Sequence, residues 1–530
     1  MHTTLSQQLR NAIGNLNRRA LRKSAVWCAE LLLGLGHPNP LPASELLASE
    51  PLSDVYLIAK TYFDCGEFQR AAFRLSPDNT LCASALDGFL WAYALYLAGE
   101  KRKEEAIREG AKDAVNLNLD LLLAQLSAPS AAIVRKDGYL SWLFGVCLRE
   151  KGGREADARG ALVRAVTLAP WHWSAWLDLG SLYADPESYA ALQLDNEDHL
   201  AARAFRGHMF LEHFLFDEAV EFHRRLLRDV PTSPFALAQM AQALYGAAEF
   251  DEALQTFAAL EDRDPYRLSN VDTLAYLYYV REAKAELSTL ARRAVQLDKF
   301  KVETCCVVGN YFALKGQHEH AVTYFKRALR HNRRYQGVHT LLGHEFVELK
   351  NLPAAIEAYR AAVDINPRDF RAWYGLGQAY EIAKMHFYSL YYYRKTTVLR
   401  PKDARMWCAL GGSLEKTGLA KEAIRCYRRA DDLDDPEGIA TLALARLYKQ
   451  QHDGDNAFSF YHKHLLRRQS EGTLHGPPVV EGLRFVAAFL RDRNKLDAAL
   501  QYAEHLQRVS PGDKEAEALL RDIQSRRGVL

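Results

Sequence analysis

The chain has 530 residues, 48% apolar and 25% charged, a balance that suits a folded chain with a large core and argues against extensive disorder. Its 68 basic and 66 acidic side chains leave a formal charge of +2, which excludes a global field that would draw nucleic acid or an anionic membrane. The eight cysteines (Cys28, Cys65, Cys82, Cys147, Cys305, Cys306, Cys408, Cys426) show no Cys-x-x-Cys pairing and read as reduced, buried packing residues of an intracellular protein.

From Leu9 to Leu35 the apolar spacing suits helices that stop at Gly34, Gly36 and Pro38, with Pro40 and Pro42 closing a turn. Ala59, Tyr62, Gly66 and Ala71 then mark a degenerate helix hairpin from Asp54 to Leu75. A helix pair is expected from Leu81 to Gly110, with its turn around Gly99 to Lys103. The apolar run within it, Phe89 to Ala98, is about half the length of a membrane-spanning helix. The first twenty residues lack the apolar core of a secretion signal. Leu117, Leu119, Leu121, Leu122, Leu123 and Leu126 fit the buried side of another helix between Asp113 and Val134.

The pattern tightens at Trp142, Ala158, Ala165 and Pro170, and Trp176, Leu179, Gly180 and Tyr183 form a clear helix. Asp185-Pro186-Glu187 and the polar Asp195 to Asp198 make Ala184 to His199 the expected junction. Beyond it, units beginning every 34 residues from Leu200 place Gly207, Ala241, Ala275, Gly309, Gly343, Gly377, Gly411 and Ala445 at the eighth position. Between Val302 and Asp435 the register is fullest. Ala321, Ala355, Ser389 and Ala423 repeat, followed by Phe325, Tyr359, Tyr393 and Tyr427.

Small residues at one offset let two helices approach, and the aromatic at another fills the space between hairpins, which is the tetratricopeptide signature. Pro231, Pro265, Pro367 and Pro401 close units, since proline cannot continue a helix. An insertion from Leu465 to Val479 breaks the phase before a last repeat (Ala487, Ala499, Pro511) and a charged capping helix from Asp513 to Arg526. The expected fold is all-α, a tetratricopeptide-repeat superhelix: degenerate repeats over 1–199, regular repeats over 200–471, and insertion, last repeat and cap over 472–530.

No catalytic constellation stands out, and no metal or cofactor is expected. His318-Glu319-His320 lacks the spacing that puts two histidines on one helical face. Gly375-Leu-Gly377 sits mid-helix with no strand before it, so it is not a dinucleotide loop. Tyr388, Tyr391, Tyr392 and Tyr393 suit core packing better than a base-stacking platform. The cluster Arg18, Arg19, Arg22 and Lys23 suits a solvated helix face or a docking patch.

What remains is the groove lined by the first helix of each hairpin. Helical phase turns residues two, five, nine, twelve and thirteen of a unit toward it. In the central units these include Cys306 and Asn310; Thr340, His344, Val347 and Glu348; Arg371, Tyr374, Gln378 and Glu381; and Arg405, Cys408 and Glu415. Asn310 suits a ligand backbone, and Glu348 and Glu381 suit an arginine.

The wording of the central block, Val302-Glu-Thr-Cys-Cys-Val-Val-Gly-Asn-Tyr311, Gly343-His-Glu345, and Arg371-Ala-Trp-Tyr-Gly-Leu-Gly-Gln-Ala-Tyr-Glu-Ile382 with Phe387 to Arg394, resembles one family closely. It is the tetratricopeptide scaffold subunit numbered eight of the anaphase-promoting complex, or cyclosome. The resemblance is strong over about residues 270 to 450. It implies a noncatalytic, mainly nuclear subunit of a ubiquitin ligase acting in mitosis and cyclin destruction. It also implies homodimerisation through amino-terminal repeats, contacts with other cyclosome subunits, and a groove for an arginine-containing segment near the coactivator's amino terminus. The acidic, Ser/Thr-rich tail expected of some members does not follow Pro511-Gly512-Asp513.

Two other classes compete. A co-chaperone adaptor would clamp a heat-shock protein's terminal carboxylate with lysine, arginine and asparagine. Here Cys306 stands one turn before Asn310, and Glu348 and Glu381 would repel that carboxylate. A repeat-bearing glycosyltransferase would need a catalytic domain, and the residues after Leu465 read as repeat and cap.

Overall fold

Glycine in a helix interior costs about 1 kcal/mol against alanine, so a glycine recurring mid-helix needs a packing reason. The computed structural model supplies it. A Cβ on Gly309 would stand 2.4 Å from the Phe325 ring, one on Gly343 2.3 Å from Tyr359, one on Gly377 2.4 Å from Tyr393 and one on Gly411 2.8 Å from Tyr427. In each hairpin the aromatic of the second helix lies on the bare backbone of the first. Ala321, Ala355 and Ala423 are fully buried beside it. Gly375 also accommodates Tyr359, so Gly375-Leu-Gly377 serves packing on both sides of its helix.

The structure describes residues 2–35, 53–78, 80–82, 84–111, 114–128, 131–183, 188–189, 192, 198–511 and 513–529, with backbone alone at 2–4, 336 and 528–529. The turn expected at Pro38 to Pro42 and most of the junction expected at Ala184 to His199 lie outside them. All regular structure among the described residues is helical, and the chain divides into two compact units, Met1–Leu277 and Tyr278–Leu530. That division falls within the regular repeats, away from the change of register near residue 200.

The helices of the first unit are α1 His2–Arg18, α2 Arg22–Gly34, α3 Asp54–Asp64, α4 Phe68–Leu75, α5 Ala85–Arg108, α6 Leu119–Ser127, α7 Ala132–Lys136, α8 Gly138–Lys151, α9 Glu155–Leu168, α10 Trp173–Gly180, α11 Leu200–Glu212, α12 Phe216–Asp229, α13 Pro234–Gly246 and α14 Phe250–Arg263. Two expectations are corrected here. Leu81 to Gly110 holds one 24-residue helix and not a pair. Gly99 is no turn: it is a helical gap in which buried Asn116 sits, donating to the Tyr96 carbonyl (3.1 Å) and to Glu100 (3.0 Å). In the leucine-rich segment, Leu119, Leu122 and Leu126 are buried, but Leu117 and Leu121 are exposed: Leu117 precedes the helix, which starts at Leu119, and Leu121 lies off the face that carries Leu119, Leu122 and Leu126.

A solenoid hairpin ordinarily touches only its neighbours. Here α2 packs on its neighbour α1 and also on α10 and α13, far along the chain. Trp27 stacks on Trp173 at 4.5 Å with Phe235 edge-on at 5.8 Å. Cys28 donates to the Trp171 carbonyl (3.4 Å), and Glu30 pairs with Arg267 at 2.7 Å. Arg19 is likewise packed, over Tyr139 at 4.1 Å and 3.4 Å from Asp137, so the Arg18 to Lys23 cluster is not a uniformly free basic face.

Helix α15 Val271–Val280 spans the division. The second unit continues with α16 Lys284–Leu297, α17 Val302–Leu314, α18 His318–His331, α19 Gln336–Glu348, α20 Leu352–Ile365, α21 Phe370–Ile382, α22 His386–Leu399, α23 Ala404–Lys416, α24 Ala420–Asp432, α25 Ile439–Gln450, α26 Gly454–Ser470, α27 Pro477–Asp492, α28 Leu496–Val509 and α29 Lys514–Val529. Much of the supposed insertion is helix: α26 runs on to Ser470 and α27 starts at Pro477, leaving a short connection. Within each central hairpin a left-handed residue makes the turn, at Gly316, Lys350, Lys384, Gly418 and His452. Aspartates start several first helices: Asp369 accepts from the Arg371 amide and Asp403 from that of Arg405, both at 3.1 Å. The indoles of Trp373 and Trp407 donate to the carbonyls of Pro367 (2.7 Å) and Pro401 (2.9 Å), tying each helix to the proline that closes the unit before it.

Candidate partner groove

The groove residues lie on α17, α19, α21 and α23, successive first helices of the second unit. The structure sorts them by depth. Cys306, Asn310, Thr340 and Cys408 are buried, so these four do not form an open surface, contrary to the expectation from helical phase. Phase gives a direction around one helix, but the neighbouring hairpin covers part of that face. Cys306 belongs to an apolar cluster with Val338 and Leu342 of α19. Thr340 donates to Asp369, the cap of the next first helix, at 3.1 Å, and Cys408 lies 3.7 Å from Asp435, which precedes the next first helix and accepts from its Ala440 amide at 2.8 Å. Asn310 is 2% exposed, and its amide nitrogen has no hydrogen-bond partner among the described residues.

The accessible layer is charged. Glu348, Gln378, Arg405 and Glu415 are exposed, while His344, Val347, Arg371, Tyr374 and Glu381 are half-buried. The packing aromatics reach into this layer through their hydroxyls. Tyr393 donates to one oxygen of Glu381 at 2.7 Å, and Tyr427 donates to Glu415 at 3.3 Å, the same offset one repeat later. Lys416 holds the other oxygen of Glu381. Burial first, then the Glu381 carboxylate, pushes the Tyr393 hydroxyl far up, so it stays a donor at neutral pH. Where the twelfth residue is Val347 no such carboxylate exists, and Tyr359 turns to His344 Nδ1 at 2.8 Å. Burial lowers His344 to about 4, helped by the Arg371 charge and opposed by Asp369, which leaves a neutral ring able to accept. Tyr374 lies 5.6 Å from Tyr393 and is raised mainly by burial.

Glu348, Glu381 and Glu415 thus place one carboxylate on each of three consecutive first helices, two of them aimed by buried tyrosines. Such an array accepts guanidinium or ammonium groups. Sequence reasoning found the carboxylates but missed the tyrosine hydroxyls and Lys416. The equal separations of Tyr393 from Glu381 and of Tyr427 from Glu415 were the signal.

Other motifs resolve plainly. His318 bonds to Glu345 at 2.8 Å, and no group of three or more metal-ligating side chains occurs among the described residues. Tyr393 is core, but Tyr388 and Tyr391 are more than half exposed, against the expectation of packing. Of the cysteines, Cys65 is exposed and Cys82 intermediate, whereas the other six are buried. No described helix is long and apolar enough to cross a membrane.

Comparison with known proteins places this architecture. The chain is 40% identical to anaphase-promoting complex subunit 8 of Arabidopsis thaliana, over 97% of this chain and 96% of that protein. It belongs to the anaphase-promoting complex subunit 8/Cdc23 family. The family model for that subunit matches residues 4–241, and tetratricopeptide-repeat models match 343–381 and 404–436. Subunit 8 of Dictyostelium discoideum is 36% identical over 98% of this chain and 97% of its own length. Subunit CDC23 of Saccharomyces cerevisiae is 30% identical over 66% of this chain and 70% of its own. The crystal structure of the Cut9-Hcn1 hetero-tetramer shares the fold, with a TM-score of 0.59, 17% identity and coverage of 98% and 96%.

Proposed function

We propose that this chain is a noncatalytic scaffold subunit of the anaphase-promoting complex, a ubiquitin ligase, and works mainly in the nucleus in the destruction of mitotic regulators. The observation that carries the reading is the near full-length similarity to subunit 8 of Arabidopsis thaliana. In this role the second unit receives an arginine-containing segment from the coactivator's amino terminus, with Glu348, Glu381 and Glu415 facing the guanidinium and Gln378 and Tyr374 beside it. The same carboxylates disfavour the alternative co-chaperone role, because they would repel a terminal carboxylate.

The amino-terminal repeats serve as the homodimer interface. Val55, Leu57 and Ile58 on α3 and Phe73 on α4 are exposed apolar side chains within these repeats and support this. Other cyclosome subunits bind elsewhere, and neither nucleic acid nor membrane is a partner.

The groove is tested by titrating the full chain with a labelled coactivator amino-terminal peptide. Glu381→Gln is expected to weaken binding about tenfold, the scale of one hydrogen bond to a charged group. Affinity unchanged in both Glu381→Gln and Glu348→Gln would refute the assignment. For the dimer, light scattering of Ile58→Glu should give a monomer where the parent chain is dimeric.

A further inference from the structure

Between Glu319 and Glu345 the chain carries no acidic residue, yet it holds Lys326, Arg327, Arg330, Arg333 and Arg334. Folding gathers part of this segment around one place on the surface. Lys326 and Arg330 stand one turn apart on α18, Arg333 follows on the turn, and His339 lies on α19. With Leu329 they line one open cleft of about 380 Å³.

The turn is braced and not merely a loose loop. The Asn332 side chain accepts from the Arg334 amide at 3.1 Å, the Tyr335 amide donates to the Asn332 carbonyl at 3.2 Å, and His339 Nε2 bonds to the Arg333 carbonyl at 3.1 Å. Lys326, Arg330, Arg333 and Arg334 are exposed, and none has a carboxylate within ion-pairing distance among the described residues. Lys326 lies over the Phe346 ring at 5.6 Å.

Neighbouring repeats show how different this is. The residue after the packing aromatic is basic and exposed in four consecutive hairpins: Lys326, Arg360, Arg394 and Arg428. Arg360 donates to the Tyr380 hydroxyl at 2.7 Å, Arg394 pairs with Glu422 at 3.3 Å, and Arg428 lies over Tyr448 at 5.6 Å. At Lys326 this row instead joins Arg330 and Arg333 around a cleft.

We propose that this cleft docks an acidic segment of a partner protein, one carrying at least two neighbouring carboxylates. Charge complementarity argues for the acid, and the spread of cations over a helix and the turn after it argues for several carboxylates in place of one small anion. A nucleic acid fits less well: the cleft offers Leu329 and His339 but no exposed aromatic ring for base stacking, and the chain has no global field to hold a polyanion. The docking site uses the second helix α18 and the turn after it, apart from the carboxylates of the groove.

The test is fluorescence anisotropy on the full chain with a labelled Glu-Ser repeat peptide, its Gln-Ser counterpart and a labelled single-stranded DNA oligomer. The Glu-Ser peptide should bind, more weakly as salt is raised, and the Gln-Ser peptide should not. Lys326→Ala with Arg330→Ala should weaken binding about tenfold or more, the scale expected for losing charge-assisted contacts. Lys101→Ala with Arg102→Ala, exposed on α5, should not change it. Arg333→Gln, on the turn, gives the same loss without touching α18, and circular dichroism confirms that each variant is folded. The proposal is overturned if the acidic peptide fails to bind, if the cleft and α5 variants bind it equally, if the Gln-Ser peptide binds as well, or if the DNA oligomer or inorganic phosphate outcompetes the acidic peptide.

Discussion

Gly377→Ala offers a sharp perturbation because two opposing effects can be ranked. Alanine gains about 1 kcal/mol in helix propensity over glycine. Against that, the new methyl would sit 2.4 Å from Tyr393 Cε1, 2.5 Å from Cδ1 and 2.9 Å from Cζ. The ring cannot swing aside freely. It is 1% exposed, Tyr374 lies 5.6 Å away, and its hydroxyl is tied to Glu381 at 2.7 Å. Overpacking a closed core costs about 1–3 kcal/mol, and with contacts this short against a tied ring the cost falls in the upper part of that range, so the expected net change is a loss of about 1–2 kcal/mol. Gly160, on α9, is the control: it is helical with nothing within 4 Å of an added methyl, so Gly160→Ala should stabilise by about 0.5–1 kcal/mol. Repeat arrays need not unfold in one step, so the assay is amide hydrogen exchange over α21 and α22 for the first variant and over α9 for the second. Faster exchange in Gly377→Ala and slower exchange in Gly160→Ala follow from the packing. Slower exchange in both would refute the reasoning.

Lys384 makes its turn at φ 61°, a conformation that costs a side-chain-bearing residue about 1 kcal/mol, so Lys384→Gly should slow exchange in the adjoining helices, and no change would count against left-handed strain there. Burial holds His172 at about 3 and His223 and His344 at about 4, below the ordinary 6.5, so only the unfolded chain takes up these protons as pH falls from 6.5 toward 4. Stability should therefore be level in these terms above about pH 6.5 and decline below it, read from urea midpoints, whereas a midpoint constant from pH 7 to about 5 would contradict the burial of neutral rings. Lys416 occupies the Glu381 oxygen that an incoming arginine needs, so Lys416→Met should tighten binding of the coactivator peptide, and weaker binding would show that lysine assists the ligand.

The regular repeats were legible because one residue type at one offset has one job: Gly377 meets Tyr393 as the register implies. What escaped is what spacing cannot encode. Gly99 read as a turn because the asparagine that fills its gap, Asn116, lies beyond the helix end. The turns at Lys350, Lys384 and His452 carry no glycine, so their left-handed backbone left no mark. Asn310 and Thr340 have the phase of groove residues, but the adjacent hairpin buries them, and only packing between repeats could reveal that. The contact of α2 with α10 and α13 joins elements far apart in sequence, where nearest-neighbour reasoning about repeats has no reach.

Affinity purification of the tagged full chain from its own cells, with partners identified by mass spectrometry, tests the central claim most directly. The account predicts recovery of other anaphase-promoting complex subunits together with the chain. Recovery of heat-shock proteins without those subunits would contradict it.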